Sequence, residues 1–547
     1  MEGLLANSKY KPVESGKIYN IVNMGYGTVI YENTNGNQVR CQNADKSKFS
    51  QYWRLINENG KYYIQNVLSE RYIKKQNGAF SQIYSTSTTK SASANGFTLS
   101  KTDNDTEHTY AIVDQNPAGL HCDASSNVVG WYYTDNNNSI WGFQPVEVTE
   151  EEIAEARKSY VEFEELSKNL SAYNTHMQAL FSDLAFTTLK EEIAALTDEE
   201  LAANADFAAL SAVLQGIVLK VKHNDWKQFT DETTGYTADY ERFFRIADYK
   251  VYSHHQKMSW EDQTDMSNSF GRLSNPTGIT GYAGDIVYIF VDGAVSSDCI
   301  LAAETVTGTS NTGSQTILKP GLNAIMLGDQ SNLYIFYELQ DPNKYLANYP
   351  DVKIHIQGGK VNGYYDSSRH TDKDYLALLS KASHELFTIK GKESLFHFQR
   401  NTYKQVWPKS IDRSICWFDS MAVWQKELMG MSEAVVNGKR AHYPYCMTGG
   451  EDIFPTYYNN PNFAIQGNES DGGYANSSTY RTCYNSLGCI ASCLDVTRQD
   501  HDDWCVGHEA GHNNQGVINL EGGTEVSNNL FSNFCRFLTG NVTSSGE

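Results

Sequence analysis

The five residues His508-Glu509-Ala510-Gly511-His512 constrain this chain more than any other part of it. Histidines four apart on a helix lie one above the other, so both imidazoles can face one Zn²⁺ ion. Glu509 stands one residue off that stripe, where its carboxylate can take a proton from water at the metal. A His-Glu-x-x-His string arises by chance in a chain of this length and composition about one time in fifty. The residues downstream of it decide against a surface helix with two unrelated histidines.

A zinc peptidase needs three protein ligands and one open position. Glu521 and Glu525 both lie close downstream. Apolar residues at 526, 530, 531, 534 and 538 keep a helical period. Gly522-Gly523 breaks the chain before them, and Thr524 is the expected N-cap. Glu525 therefore falls on the opening turn of a packed helix and is preferred to Glu521, which falls on a loop. Asn529, one turn on, is expected to hydrogen-bond a ligating residue. Cys505 shares a helical stripe with His508 and His512 but reads better as a core or disulfide cysteine. Gly507 and Gly511 each cost the helix roughly 1 kcal/mol against alanine. A close approach by a strand or a substrate is the expected reason. Asp502 or Asp503 is expected to cap the helix.

His-Glu-Ala-Gly-His-Asn-Asn-Gln, followed by Gly-Gly-Thr-Glu-Val-Ser-Asn-Asn-Leu-Phe-Ser, resembles the enhancin-like zinc metallopeptidases. These include viral enhancins and bacterial mucin-degrading O-glycopeptidases. Upstream, Asn275-Pro276-Thr277-Gly278-Ile279 before Ala283-Gly284-Asp285 resembles the same family. So does Ile354-His355-Ile356-Gln357-Gly358-Gly359 with Val361-Asn362-Gly363-Tyr364. The resemblance covers roughly residues 230 to 547. It implies that His508, His512 and Glu525 are zinc ligands, that Glu509 is the catalytic base, and that the substrate is a mucin-type O-glycoprotein. The residue that stabilises the oxyanion stays open, with His442 and Tyr443 as guesses.

With 44 basic against 65 acidic residues, no basic stripe is available for nucleic acid. No apolar run reaches transmembrane length. Met1-Glu2-Gly3-Leu4-Leu5 lacks the basic and apolar regions of a secretory signal. Abundant Tyr, Asn, Ser and Thr fit a secreted or cell-surface protein whose signal has been removed. Cys483, Cys489 and Cys493 cluster without zinc-knuckle spacing, so a disulfide or buried thiols is expected rather than a second metal. His254-His255 is set aside as a metal pair, because chain neighbours point in different directions.

The first 147 residues are rich in short β runs, and they repeat. Trp53-Arg54-Leu55, Phe97-Thr98-Leu99 and Trp141-Gly142-Phe143 recur every 44 residues. Tyr19-Asn20-Ile21, Tyr62-Tyr63-Ile64 and Tyr110-Ala111-Ile112 precede them. Three such units suggest a β-trefoil, since one copy cannot bury its apolar face alone. Gln51-Tyr52-Trp53 resembles the Gln-x-Trp signature of ricin-type lectins, while Asn95 and Ser139 stand where the other copies would carry Gln. In the third copy Asp123, Trp131 and Asn138 are the candidate carbohydrate contacts.

The expected architecture is multidomain α+β. A β-trefoil and possible carbohydrate-binding module (1–147) precedes a helical linker (148–222) opened by capping boxes at Thr149 and Thr197. A β-sandwich subdomain (223–375) and a mostly helical, gluzincin-type zinc metallopeptidase domain (376–547) complete the chain. It ends 22 residues past Glu525, so this last domain is expected to be C-terminally truncated. The expected function is zinc-dependent cleavage of O-glycosylated proteins. The rival readings are a glycan-binding adhesin with an inactive peptidase-like part, and a general zinc endopeptidase.

Overall fold

The computed structural model describes residues 10–33, 37–46, 48–101, 108–134, 136–231, 236–253, 275–293, 295–306, 314–328, 330–340, 349–428, 435–436, 439–440, 462–466, 475–478, 481–512, 515 and 522–540. His254, His255, His442, Tyr443 and Glu521 lie outside them. The chain divides into two compact units, Met1–Ser167 and Lys168–Glu547.

Twelve strands build the first unit, in three sets of four. They are β1 (Ile18–Asn23), β2 (Val29–Asn33), β3 (Gln38–Gln42) and β4 (Trp53–Glu58), then β5 (Lys61–Asn66), β6 (Tyr72–Ile73), β7 (Thr86–Ser87) and β8 (Thr98–Lys101). The last set is β9 (Thr109–Gln115), β10 (Ala118–Cys122), β11 (Val128–Tyr132) and β12 (Ile140–Pro145). The second and third strands of each set pair with each other. The fourth of each pairs with the first of the next: β4 with β5, β8 with β9, and β12 back with β1. Pairing of β1 with β4, of β9 with β12, and a Tyr62–Phe97 bridge complete a ring of six strands.

The sequence repeat has a physical origin in this ring. Trp53, Phe97 and Trp141, each fully buried, enter the core at the fourth strand of each set. Trp53 Nε1 donates to the Ile30 carbonyl and Trp141 Nε1 to the Leu120 carbonyl, both at 2.9 Å, so neither indole is left unsatisfied. Two residues earlier, Gln51, Asn95 and Ser139 are also fully buried. Gln51 Nε2 donates to the Asn43 carbonyl and its Oε1 accepts from Asp45 N. Asn95 Nδ2 donates to the Ile73 carbonyl and Ser139 Oγ to that of Tyr132. The three residue types differ, yet each ties down the loop of its own set.

Both expected capping boxes form, Thr149 with Glu152 and Thr197 with Glu200. They start the 31-residue helix Glu150–Leu180 and the short helix Asp198–Ala202.

In the second unit, Ile246–Tyr249, Val352–Gly358, Ile286–Asp292 and Gly321–Met326 form an antiparallel sheet in that order. A second sheet runs Ser314–Ile317, Cys299–Val306, Ser331–Leu339, Pro276–Gly281 and Lys360–Val361. Ile289 and Val291 of the first share one core with Leu301, Ala303 and Ile335 of the second. That core continues without a break to Val506, Ala510 and Cys535. Gly358, at φ +79°, lies where a Cβ would strike the Ile286 carbonyl oxygen, a physical reason for glycine in one of the upstream sequence blocks.

The 376–547 segment carries the helices Arg400–Val406, Asp412–Leu428, Leu487–Leu494, Asp503–His512 and Asn529–Thr539. It also carries most of a mixed sheet, where the sequence pattern predicts mostly helix. The order of this sheet is Tyr365–Asp366, Leu386–Lys390, Ser394–Gln399, Asn462–Gln466, Arg481–Tyr484, Ala475–Ser478. Buried residues run consecutively along Leu386–Ile389 and Ser394–Phe398, so the two-residue alternation that marks a half-buried strand is missing there.

Replacing Gln51 by Leu removes the partner of the Asn43 carbonyl and of the Asp45 N–H, both in part-buried hydrogen bonds. It should cost the first unit about 1–3 kcal/mol, read as a lower midpoint in thermal melts. Gln51→Asn, which keeps an amide, should cost less.

Candidate metal centre

Asp502 Oδ1 accepts from Cys505 N at 3.0 Å and caps the helix Asp503–His512, placing a carboxylate at its positive end. Asp503, inside the first turn, is nearly fully buried and accepts from Thr539 Oγ1 at 2.9 Å. From the other side Gln425 Nε2 donates to the Gly507 carbonyl at 3.0 Å. The helix that carries the motif is therefore held at its start and its middle.

The two glycines face the helix Asn529–Thr539, neither a strand nor a substrate. A Cβ on Gly507 would stand 2.9 Å from Ser532 Cα, and one on Gly511 3.0 Å from the Asn528 carbonyl oxygen. This contact also corrects the expected apolar stripe. The buried positions are Asn528, Phe531, Ser532 and Cys535, while Val526 is 69% and Leu530 49% exposed. Phe531 keeps its expected inward place, but Asn528, Ser532 and Cys535 share the inner face because the helices approach too closely for a row of leucines. Thr524 is a helical residue and not the N-cap. Gly523 holds that position without a side-chain bond, and the short helix Thr524–Ser527 stops at Asn528 before the next begins.

This packing brings His508, His512 and Glu525 together. Their donor atoms lie within 4.8 Å of one another. Glu525 Oε2 is 3.2 Å from His508 Nε2 and 3.3 Å from His512 Nε2. Tetrahedral zinc with ligand bonds of about 2.0–2.1 Å separates its donors by about 3.3–3.4 Å, so the spacing fits that ion.

The hydrogen bonds fix which nitrogens face inward. Asn529 Nδ2 donates to the Glu525 carbonyl at 3.3 Å, which leaves Oδ1 to face His508 Nδ1 at 2.9 Å. Nδ1 then carries the proton, and the Nε2 lone pair points at the carboxylate of Glu525. Two acceptors face each other there, an arrangement a cation between them makes favourable. Asn529 thus has the partner expected of it, and the tight packing adds others. Gln515 is buried, with its amide 2.9 Å from His512 Nδ1 and 2.7 Å from Ser527 Oγ. The Asn528 amide nitrogen lies 2.9 Å from His512 Nε2. A neutral imidazole has one acceptor nitrogen. Once the Gln515 amide is turned over, Oε1 accepts from Nδ1–H and the amide nitrogen donates to Ser527 Oγ, which donates in turn to the Gly523 carbonyl. Burial lowers the pKa of His512, against the opposing pull of Glu525, and so favours the neutral ring a metal requires. Trp504 stacks on His508 at 4.7 Å. Glu509 is 7% exposed.

Gln515 and Asn528 are not visible as site residues in the sequence, since neither sits on a periodic pattern. Cys505 turns away from the histidines toward Cys493 and Asp502.

The candidate sugar contacts belong to the first unit. Asp123 Oδ1 accepts from Ser125 N and Asn127 N, and Oδ2 from Asn127 Nδ2, so this carboxylate shapes its own loop. Trp131 is half-buried, edge-on to Phe80 and Tyr132 at 6.1 Å. The Asn138 side chain lies against Gly25, and its carbonyl accepts from Asn23 Nδ2.

Among known proteins, a metallopeptidase from Bacteroides thetaiotaomicron is 28% identical, with a TM-score of 0.53 over 68% of this chain and 57% of its own. A metallopeptidase solved in complex with Tn antigen is 30% identical, with a TM-score of 0.45 over 55% of this chain and 53% of its own. The catalytic module of the metalloprotease ZmpA from Clostridium perfringens is 17% identical, with a TM-score of 0.40 over 54% of this chain and 58% of its own. The chain spans a little over half the length of each. No curated protein sequence matches it. The family model described as peptidase M60, enhancin and enhancin-like, matches residues 359–540, the segment that contains the motif helix and Glu525.

Proposed function

We propose that the chain is a zinc-dependent endopeptidase that hydrolyses peptide bonds in O-glycosylated, mucin-like proteins. The observation that carries this is the convergence of His508 Nε2, His512 Nε2 and Glu525 Oε2 at 3.2–3.3 Å, both imidazoles braced from behind by side-chain amides. His508, His512 and Glu525 hold the metal. Zinc bound there supplies Lewis acidity, polarising a carbonyl and acidifying water. Glu509 is the general base. Its carboxylate takes a proton from the attacking water and delivers it to the leaving amine. Asn529 and Gln515 hold the imidazoles in the tautomer that leaves each Nε2 unprotonated, the form a metal requires.

The substrate reading rests on the enhancin-like family match and is supported by the first unit. We read its closed, threefold strand ring as a β-trefoil. Phe80 and Tyr132, 38% and 47% exposed, flank Trp131 in an aromatic patch suited to a sugar face. Asp123 and Asn138 are the proposed polar contacts of this module. Bound glycan would raise the local substrate concentration. Residues 148–222 then form a helical linker, 223–375 a β-sandwich and 376–547 the catalytic domain. Among the described residues no helix is long and apolar enough to cross a membrane. Action at or outside the cell surface fits such a substrate.

Glu509→Gln should retain zinc and lose at least ~10²-fold in kcat. A fully active variant would overturn the mechanism. Digesting one mucin before and after enzymatic removal of its O-glycans tests the substrate, and equal cleavage would point to a general peptidase. Gln515→Leu should weaken zinc binding about 10–100-fold in a chelator competition, with Gln515→Glu restoring most of it through a carboxylate acceptor for Nδ1–H.

A further inference from the structure

A second set of metal-type donors lies beside the first and takes no part in the proposed hydrolysis. Cys489 and Cys493, four apart on the helix Leu487–Leu494, place their sulfurs 3.9 Å from each other. Cys505, from the motif helix, joins Cys493. The donor atoms of Cys493, Asp502 and Cys505 all lie within 4.8 Å of one another. Cys489 and Cys493 are fully buried, and Cys505 is 6% exposed.

The geometry points to a structural metal site in which Cys493, Cys505 and Asp502 hold one thiophilic divalent cation such as zinc, with Cys489 beside Cys493 as a further thiol. Zinc–thiolate bonds of about 2.3 Å separate tetrahedral sulfurs by about 3.8 Å, close to the 3.9 Å between Cys489 and Cys493. A disulfide suits that pair poorly. Helical positions four apart keep their Cβ atoms roughly 5–6 Å apart, beyond the roughly 3.5–4.5 Å a disulfide spans. The carboxylate donor is held independently of any metal. Asp502 N donates to the Ser492 carbonyl at 2.9 Å, and Asp502 Oδ1 accepts from Cys505 N. His501 Nε2 lies 3.1 Å from the Cys493 carbonyl, so the loop that delivers Asp502 is tied to the cysteine helix at two points. Hydrogen bonds that Cys493 donates toward Cys489 and Cys505, with burial, raise its pKa and keep it a thiol until a cation replaces its proton. The spacing of Cys489 and Cys493 hides this set because its other two donors come from around the start of the next helix.

The test uses the whole chain. Loaded with cobalt(II), it should bind two ions and show a thiolate-to-cobalt charge-transfer band in the near ultraviolet. His508→Ala/His512→Ala should lose one ion and keep the band. Cys489→Ser/Cys493→Ser should lose the other ion together with the band. Binding of a single ion by the unsubstituted chain with no thiolate band would overturn the site. So would a Cys493–Cys505 disulfide, seen as the loss of two hydrogens by mass spectrometry. If the serine variant does not fold, alkylation of the unsubstituted zinc-loaded protein decides. The three cysteines should label faster after a chelator is added, and equal labelling with and without chelator rejects the proposal.

Discussion

The centre depends on how closely two helices can approach. Gly507 and Gly511 let Asp503–His512 lie against Asn529–Thr539 at distances where an added methyl would meet backbone atoms at 2.9–3.0 Å. Only at that separation can Glu525, on a short turn from the neighbouring element, reach both imidazoles with one oxygen. The same closeness brings Asn528 and Asn529 to ring nitrogens. The helical penalty of two glycines, roughly 1 kcal/mol each, is thus set against the geometry of the whole donor set.

Charge is set by the same packing. Among the described residues, neutral amides and no carboxylates brace the rings of His508 and His512 from behind. A carboxylate brace would raise the basicity of the imidazoles and lower the positive charge a bound cation presents to a carbonyl. Amide braces fix the tautomer without adding charge, so Glu525 is the one anionic donor and a divalent ion keeps net positive charge. In a chain of net charge −21, that preserves electrophilic character where hydrolysis needs it.

His508, Glu509 and His512 were legible because helical spacing alone sets which side chains share a face. Glu525 was legible through the glycine break and the helix after it, although Thr524 did not prove to be the cap. The inner face of that helix was not legible. Hydrophobic periodicity assumes that burial selects apolar residues, whereas here contact distance selects Asn528 and Ser532. Gln515 escaped for a related reason: its role exists only once Ser527 is folded against it. In the first unit the 44-residue recurrence was visible because Trp53, Phe97 and Trp141 fill equivalent core positions. The apparent loss of the glutamine signature at Asn95 and Ser139 conceals a shared task, since shorter side chains still reach loop carbonyls. The strands Leu386–Lys390 and Ser394–Gln399 lacked alternation because burial runs along them without a break.

Exposure separates the two donor sets by chemistry. The histidines of the first are 12% and 15% exposed at their side chains, but Glu525 is 75% exposed. A metal there would have three protein donors and one side toward solvent, the condition under which water and a substrate carbonyl can enter its coordination sphere. The sulfurs of the second set lie in the interior, with only the carboxylate of Asp502 partly exposed beside them. By this criterion the first set can catalyse and the second can only brace. The brace would act on the motif helix itself, since Cys505 precedes His508 by a single turn.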